Sequence, residues 1–307
     1  MKRIKSNGLP SDVLPNKSRL KFREGVWAWG FLSPTLVLFV VFTLIPLILA
    51  VVLSFTNYDL YSDVTSAGWA NYQKIFTGVI GKDFWRTIKN VLYFAAMSVP
   101  MTVAGSLLAA NLVNAKLRGM KVYRFIYYLP AVTSGVATAF CWKMLLNYNN
   151  GFINSIITML GGERIDWLGS YSYLPLFSIA IIATWGALGG NMLIYLAALK
   201  GINPDLYEAA DLDGANGVKK FLHITLPSVR PTTFFIVTMS IIGAFQLFDT
   251  VYFVSSGSIF TNTPVLLIYT VAFKDGYAGL GSAMSVVLFL IIMAVTFVVQ
   301  KLLKERS

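Results

Sequence analysis

Six stretches of this chain are apolar for long enough to cross a bilayer as a helix, which takes about 20 residues. They cover residues 27–55, 90–114, 125–146, 174–199, 232–254 and 280–299, separated by polar segments rich in Gly and Pro. None alternates apolar and polar positions as a membrane barrel strand does, so each predicts a helix. The expected fold is all-α: a polytopic membrane protein with six transmembrane helices. Residues 1–24 carry no hydrophobic periodicity and predict a basic tail, leaving 25–307 as the membrane domain.

The connections differ in character. The first outer connection is aromatic and polar, with Trp69, Tyr72, Phe76 and Trp85, and reads as interfacial. The second, 147–173, carries the turn Asn149-Asn150-Gly151 and the anchor Asp166-Trp167-Leu168. Gly, Ser and Thr dominate the third, 255–279, and Pro264 breaks it. Charge then sets orientation. The formal net charge is +11, and eighteen of the 25 Lys and Arg residues fall on one side of a six-span bundle. They stand in the N-terminal tail, in the 115–124 connection (Lys116, Arg118, Lys121, Arg124), around the 200–231 connection (Lys200, Lys219, Lys220, Arg230) and at the C-terminus. Basic residues stay in the cytoplasm, so both termini are expected there. The excess is topological, and no nucleic-acid partner is implied. Charged residues make up 13% of the chain, against about 25% in soluble domains.

The connection at about 200–231 has helical punctuation of its own. Asn203 can cap a helix that Pro204 opens, and Asp205 and Glu208 complement its positive end. Gly214 can close it in a left-handed conformation, and a second short helix fits from Asn216 to about His223 before Pro227 breaks it. Such a segment is either a solvated interhelical loop with ordinary caps or a docking element.

Here the residues resemble a known family. Glu208-Ala209-Ala210-Asp211-Leu212-Asp213-Gly214-Ala215, followed by Phe221, Ile224-Thr225-Leu226-Pro227 and Pro231, resembles the EAA loop of permease subunits in binding-protein-dependent ABC importers. Tyr128-Leu129-Pro130, Gly151-Phe152-Ile153-Asn154, Trp167-Leu168 and Phe245-Gln246-Leu247-Phe248-Asp249 are similar to its sugar-permease branch, the maltose and glycerol-phosphate type. The resemblance implies a type I importer permease fold with cytoplasmic coupling helices in a prokaryotic plasma membrane. It also implies a second homologous permease, two cytoplasmic ATPases and an extracytoplasmic sugar-binding protein as partners. The implied ATPase-coupling residues are Glu208, Ala209, Ala210, Asp213, Gly214, Ala215, Phe221, Leu226 and Pro227, with Glu208 carrying force across the contact. The implied substrate pathway takes Ala131, Gly135, Ala187, Gly190, Ser240, Ala244 and Leu247; Asp249, next to Gln246 in the outer part of the fifth span, reads from the residues either as an interfacial carboxylate solvated from outside or as polar lining at the outer mouth of the pathway. Apart from Ser240, the positions carried over from the family's sugar site are small or apolar, which implies a wide cavity and recognition left to the binding protein.

Other chemistry finds little to build on. The phosphate-cradling G-x-x-x-x-G-K-[S/T] pattern does not occur; the nearest stretches, at 78–83 and 214–220, fail its spacing. No cofactor is expected in this chain, and ATP and magnesium belong on a partner ATPase. His223 is the only histidine and Cys141 the only cysteine, which leaves no disulfide framework and no cysteine metal site. A membrane-embedded enzyme would need clustered polar residues within the spans, and the spans have none. An ion-coupled secondary transporter would need acids at mid-depth, where a charge costs about 2.5–3.5 kcal/mol. Asp249 is the only acid in a span and stands near one end. Gly186 and Gly190, with Gly189, give the fourth span a small-residue face suited to close helix packing.

Overall fold

The computed structural model describes residues 17–59, 61, 64–114, 119–255 and 258–304. Most of the expected basic tail lies outside the described residues, as do Lys116, Arg118 and Arg306. Two compact units divide the chain, Met1–Val52 and Leu53–Ser307.

In the first unit, α1 (Lys17–Phe39) is followed by a π-helical turn, Val40–Leu44, and by α2 (Ile45–Ser54). Helix therefore begins at Lys17, inside the stretch expected to be a basic tail. The π turn has a local cause. Pro46 has no N–H, and Ile45 N–H reaches back five residues to the Val40 carbonyl. The wider turn re-satisfies backbone that a proline would otherwise strand. Trp27, Trp29, Phe31 and Phe42 are all exposed, as side chains facing lipid must be.

The second unit is helical apart from one isolated bridge, Thr56–Ser66, among the described residues. Its elements are α3 (Ala70–Thr77), α4 (Val79–Asn114), α5 (Met120–Val132), α6 (Gly135–Leu145), α7 (Phe152–Met159), α8 (Leu174–Lys200), α9 (Pro204–Leu212), α10 (Gly217–Lys220), α11 (Leu226–Ser228), α12 (Arg230–Phe245), α13 (Asp249–Val254), α14 (Pro264–Tyr269) and α15 (Ala278–Lys304). Across the described residues four helices are long and apolar enough to cross a membrane, or six if each of two bent pairs is one span.

Two expected spans are not continuous. The 125–146 stretch bends by 99° between α5 and α6. Pro130 removes a donor there, and Thr133 Oγ1 donates to the Leu129 carbonyl at 2.9 Å, so side chain replaces backbone as its partner. Thr133 and Ser134 then run extended before Gly135 restarts the helix. The 232–254 stretch breaks at 246–248 into α12 and α13, and Thr263 Oγ1 donates at 2.8 Å to the Leu247 carbonyl exposed by the break. Conversely, α4 begins eleven residues earlier than hydropathy predicts. Its 36 residues make a helix about 54 Å long, well beyond a hydrocarbon core of about 30 Å.

α8 packs along α4, and the packing divides into two apolar clusters. The larger joins Phe84, Val91 and Phe94 to Leu176, Ile179, Phe245, Leu266 and Met284. A smaller one joins Ala110 and Val113 to Met192, Tyr195, Leu199, Val229 and Ile236. Each of three connections is held by one buried asparagine. Asn71 Nδ2 donates to the Ser54 and Thr56 carbonyls (3.0 and 2.8 Å), and Asn90 Nδ2 to those of Ile259 and Asn262 (both 3.0 Å). Asn154 donates to the Ile165 carbonyl (2.9 Å) and accepts from Ile165 N–H and Trp167 Nε1 (3.1 and 3.2 Å).

Of the three glycines expected on the small-residue face of α8, Gly189 makes the close contact. A Cβ on Gly186 or Gly190 would meet nothing within 4 Å, whereas one on Gly189 would collide with the Tyr127 carbonyl and lie 2.7 Å from Tyr128 Cα. Gly189→Val should therefore push α5 off α8 and cost about 1–3 kcal/mol, the usual penalty of overpacking. Gly186→Ala and Gly190→Ala should leave stability unchanged. Thermal unfolding of the purified chain in detergent checks both; an unaltered midpoint for Gly189→Val would remove the close approach.

Candidate functional site

The segment between α8 and α12 folds as its punctuation predicts in the first helix and departs from it in the second. Asn203 Oδ1 accepts from Asp205 N–H at 3.1 Å, capping α9. Gly214 has φ +70°, a conformation that costs a Cβ-bearing residue energy, and it closes α9 with Ala215 N–H on the Ala210 carbonyl at 2.9 Å. Asn216 Oδ1 then caps α10 through Lys219 N–H at 2.9 Å. Pro227 does not end this second helix. α10 passes through a π turn, Phe221–Thr225, into α11, and Leu226 N–H reaches the Phe221 carbonyl five residues back, next to a proline as at Pro46. The chain instead bends by 66° at Val229, where α12 begins.

Two side-chain contacts close the segment on itself, and a third joins the helices on either side of it. Lys220 Nζ lies 2.6 Å from Asp211 Oδ1, joining α10 to α9. Tyr207 Oη shares a hydrogen bond of 2.8 Å with the buried Thr225 Oγ1. Tyr195 Oη donates at 3.0 Å to Thr233 Oγ1, which itself donates to the Val229 carbonyl, also at 3.0 Å. Val229 is fully buried, so the bend is part of the smaller core.

The coupling residues implied by the resemblance separate into two sets. Glu208, Ala209, Asp213, Gly214 and Leu226 are exposed. Phe221 is half-buried and packs on the smaller core, so it anchors the segment. Pro227 is also half-buried. Ala210 and Ala215 line a recess of about 380 Å³ with Lys219, Lys220, His223 and Ile224. His223 Nδ1 lies 3.0 Å from the Lys219 carbonyl, a local helical contact. Leu206, Leu212, Val218 and Leu222, not singled out from the sequence, are exposed apolar side chains on the same surface; Leu212 is 91% exposed. Their signal was available, since leucines in a polar, charged stretch have no core of their own to fill.

A cleft of about 260 Å³ lies between α4, α8 and α12. Ala187, Ser240, Ala244 and Leu247 line it, and Ala131, Gly135, Gly190, Gln246 and Asp249 do not. Gln246 is exposed at the end of α12, and Asp249 is exposed in the first turn of α13, where its charge complements the helix dipole. The cleft is also less apolar than the carried-over positions imply. Ser98 and Thr102 reach it from one face of α4, and Asn191 from α8. Ser98 and Thr102 are four residues apart, a helical spacing visible in the sequence. Which face they occupy depended on the packing of α4 against α8.

Comparison with known proteins agrees with this architecture. Residues 75–307 match the family described as the binding-protein-dependent transport system inner membrane component. The chain is 33% identical over 291 residues to the probable ABC transporter permease protein YesP of Bacillus subtilis (strain 168), covering 93% of each. It is 32% identical to the arabinooligosaccharides transport system permease protein AraP of Halalkalibacterium halodurans, covering 89% of this chain and 86% of that one. With the lactose transport system permease protein LacF of Rhizobium radiobacter it shares 33% identity over 84% of this chain and 87% of the relative. The fold is similar to that in a crystal structure of a bacterial ABC transporter involved in the import of the acidic polysaccharide alginate. There the TM-score is 0.79 at 21% identity, covering 94% of this chain and 99% of that one. The chain belongs to the binding-protein-dependent transport system inner membrane component family.

Proposed function

We propose that this chain is the permease subunit of an ATP-driven ABC importer, carrying oligosaccharides delivered by an extracytoplasmic binding protein. The carrying observation is the segment 203–229. It presents two short capped helices and five exposed apolar side chains, while Phe221 and Val229 pack its root against α4, α8 and α12 in the smaller core. A passive linker has no need of such a root. In this reading the exposed face, with Glu208, docks on an ATPase, and two ATPases and a homologous permease complete the assembly. ATP and magnesium are bound by those ATPases. Closure of the ATPases displaces α9–α11, and the bend at Val229 passes the displacement to α12 and so to the cleft. Names of relatives such as the arabinooligosaccharide and lactose permeases support sugar as cargo. The ion-coupled alternative has no support from this family, and Asp249 is an exposed helix-start carboxylate.

Topology is the first test. In a Cys141→Ala background, Val218→Cys should be labelled only from the cytoplasmic side and Tyr171→Cys only from outside, both positions being well exposed. The reverse pattern would invert the assignment of the coupling face.

For coupling, Gly214→Val puts a β-branched side chain at φ +70° and should cost about 1 kcal/mol or more locally. Stimulated ATP hydrolysis and sugar uptake should fall together while the chain still inserts, and Glu208→Ala should weaken ATPase co-purification. Wild-type values for both variants in all three assays would reduce the segment to a linker.

For the cleft, Ala187→Trp and Ser240→Trp should cut uptake severalfold and spare co-purification of the ATPases, since neither side chain is buried in the core. Unchanged uptake in both would take the cleft off the pathway.

A further inference from the structure

At the end of the bundle away from the coupling segment, α6, α13 and α14 surround a second recess, of about 540 Å³. That is within the range of about 300–1,000 Å³ typical of small-molecule sites. Two lysines, Lys143 and Lys274, share its lining with Phe140, Tyr252, Phe253 and Asn262. Lys143 Nζ donates to the Phe253 carbonyl at 3.1 Å, using one of its three hydrogens on the last turn of α13. Lys274 Nζ lies 5.2 and 5.7 Å from the ring centres of Tyr252 and Tyr269 and makes no hydrogen bond to the described residues. Neither lysine pairs with a carboxylate there; the ion pairs among the described residues are Arg86–Asp83 and Lys220–Asp211. Asp249 on α13 and Asp275 beside Lys274 are within ion-pair distance of neither.

Two like charges in one recess repel, and a shared anion relieves that repulsion. The remaining lining narrows the kind of anion. Tyr252 stacks on Phe248 at 5.4 Å with an interplanar angle of 17° and meets Phe253 edge-on at 5.0 Å, so the recess has a rigid aromatic wall. Asn262, which lines the recess, has its Oδ1 buried without a donor. Ammonium groups, an aromatic wall and a free amide oxygen together match a sugar ring that carries both hydroxyls and a carboxylate. Leu247, in the break between α12 and α13, lines the cleft, and Tyr252, five residues on in α13, lines this recess.

We propose that this recess binds carboxylate-bearing oligosaccharides on their way to the cleft, with Lys143 and Lys274 holding uronate carboxylates and Tyr252 and Phe253 supporting the rings. The proposal rests on the importer reading and narrows its cargo to acidic sugars.

The test uses the chain assembled with its partner permease and ATPases in nanodiscs, without the binding protein. Trigalacturonate and the neutral galactotriose, of equal length, are titrated separately by saturation-transfer NMR. Trigalacturonate should bind, and binding should weaken as salt rises. Lys143→Gln and Lys274→Gln should each weaken it about tenfold, the loss expected for one contact to a charged group. Lys274→Arg should restore much of the affinity, and galactotriose should respond to none of these changes. Equal affinity for the two sugars, no binding of trigalacturonate, or variants that bind it as the wild type does would each overturn the proposal. So would variants that bind trigalacturonate normally but, in a parallel hydrolysis assay with the binding protein added, lose its stimulation, which would assign the lysines to a protein contact. Co-purification of the ATPases, scored on the same preparation, tests the importer reading separately.

Discussion

In an apolar medium a backbone N–H or C=O without a partner costs several kcal/mol, and the helix breaks described above answer to that constraint. Where α5 stops, Thr133 takes the Leu129 carbonyl; where α12 stops, Thr263 takes that of Leu247. Beside Pro46 and Pro227 the helix widens by one residue and finds a donor five positions on. The connections follow the same rule with a stronger device, since one buried asparagine amide can serve two carbonyls.

These breaks also place the functional surfaces. Because α12 starts at a bend buried in the smaller core, the exposed 203–228 segment and the cleft-lining face belong to consecutive pieces of one chain. Because α12 ends at 245 and α13 restarts four residues later, the cleft and the lysine recess share a common joint. An unbroken helix through 232–254 would have put Leu247 and Tyr252 on a single rigid rod.

How much of this could be read from the residues alone follows from the range of each force. Caps and left-handed closures act over four residues, so Asn203, Gly214 and Asn216 announced their roles. Apolar runs report burial or lipid contact, and they located the six stretches. They say nothing of continuity: the 125–146 and 232–254 stretches are apolar enough on average to span despite Thr133-Ser134 and Gln246 at their breaks, and the replacement donors are the hydroxyls of Thr133 and Thr263, the second far along the chain. Facing was invisible for a similar reason. Ser98, Thr102 and Asn191 enter the cleft, and Gly189 rather than Gly186 or Gly190 meets α5, only once α4, α5 and α8 are set against each other. Gly135 and Ala131, carried over by resemblance, lie beyond the cleft because the helix holding them bends away by 99°.

The double contact of Asn90 has a mechanical consequence. One amide nitrogen, fixed on the rigid α4, carries both the Ile259 and the Asn262 carbonyls. A rotation of that side chain releases both together, leaving two carbonyls to find new donors at once. The turn at 259–262 is thus fastened as by a snap closure rather than a zip: it is seated or free, with no half-open position of low energy.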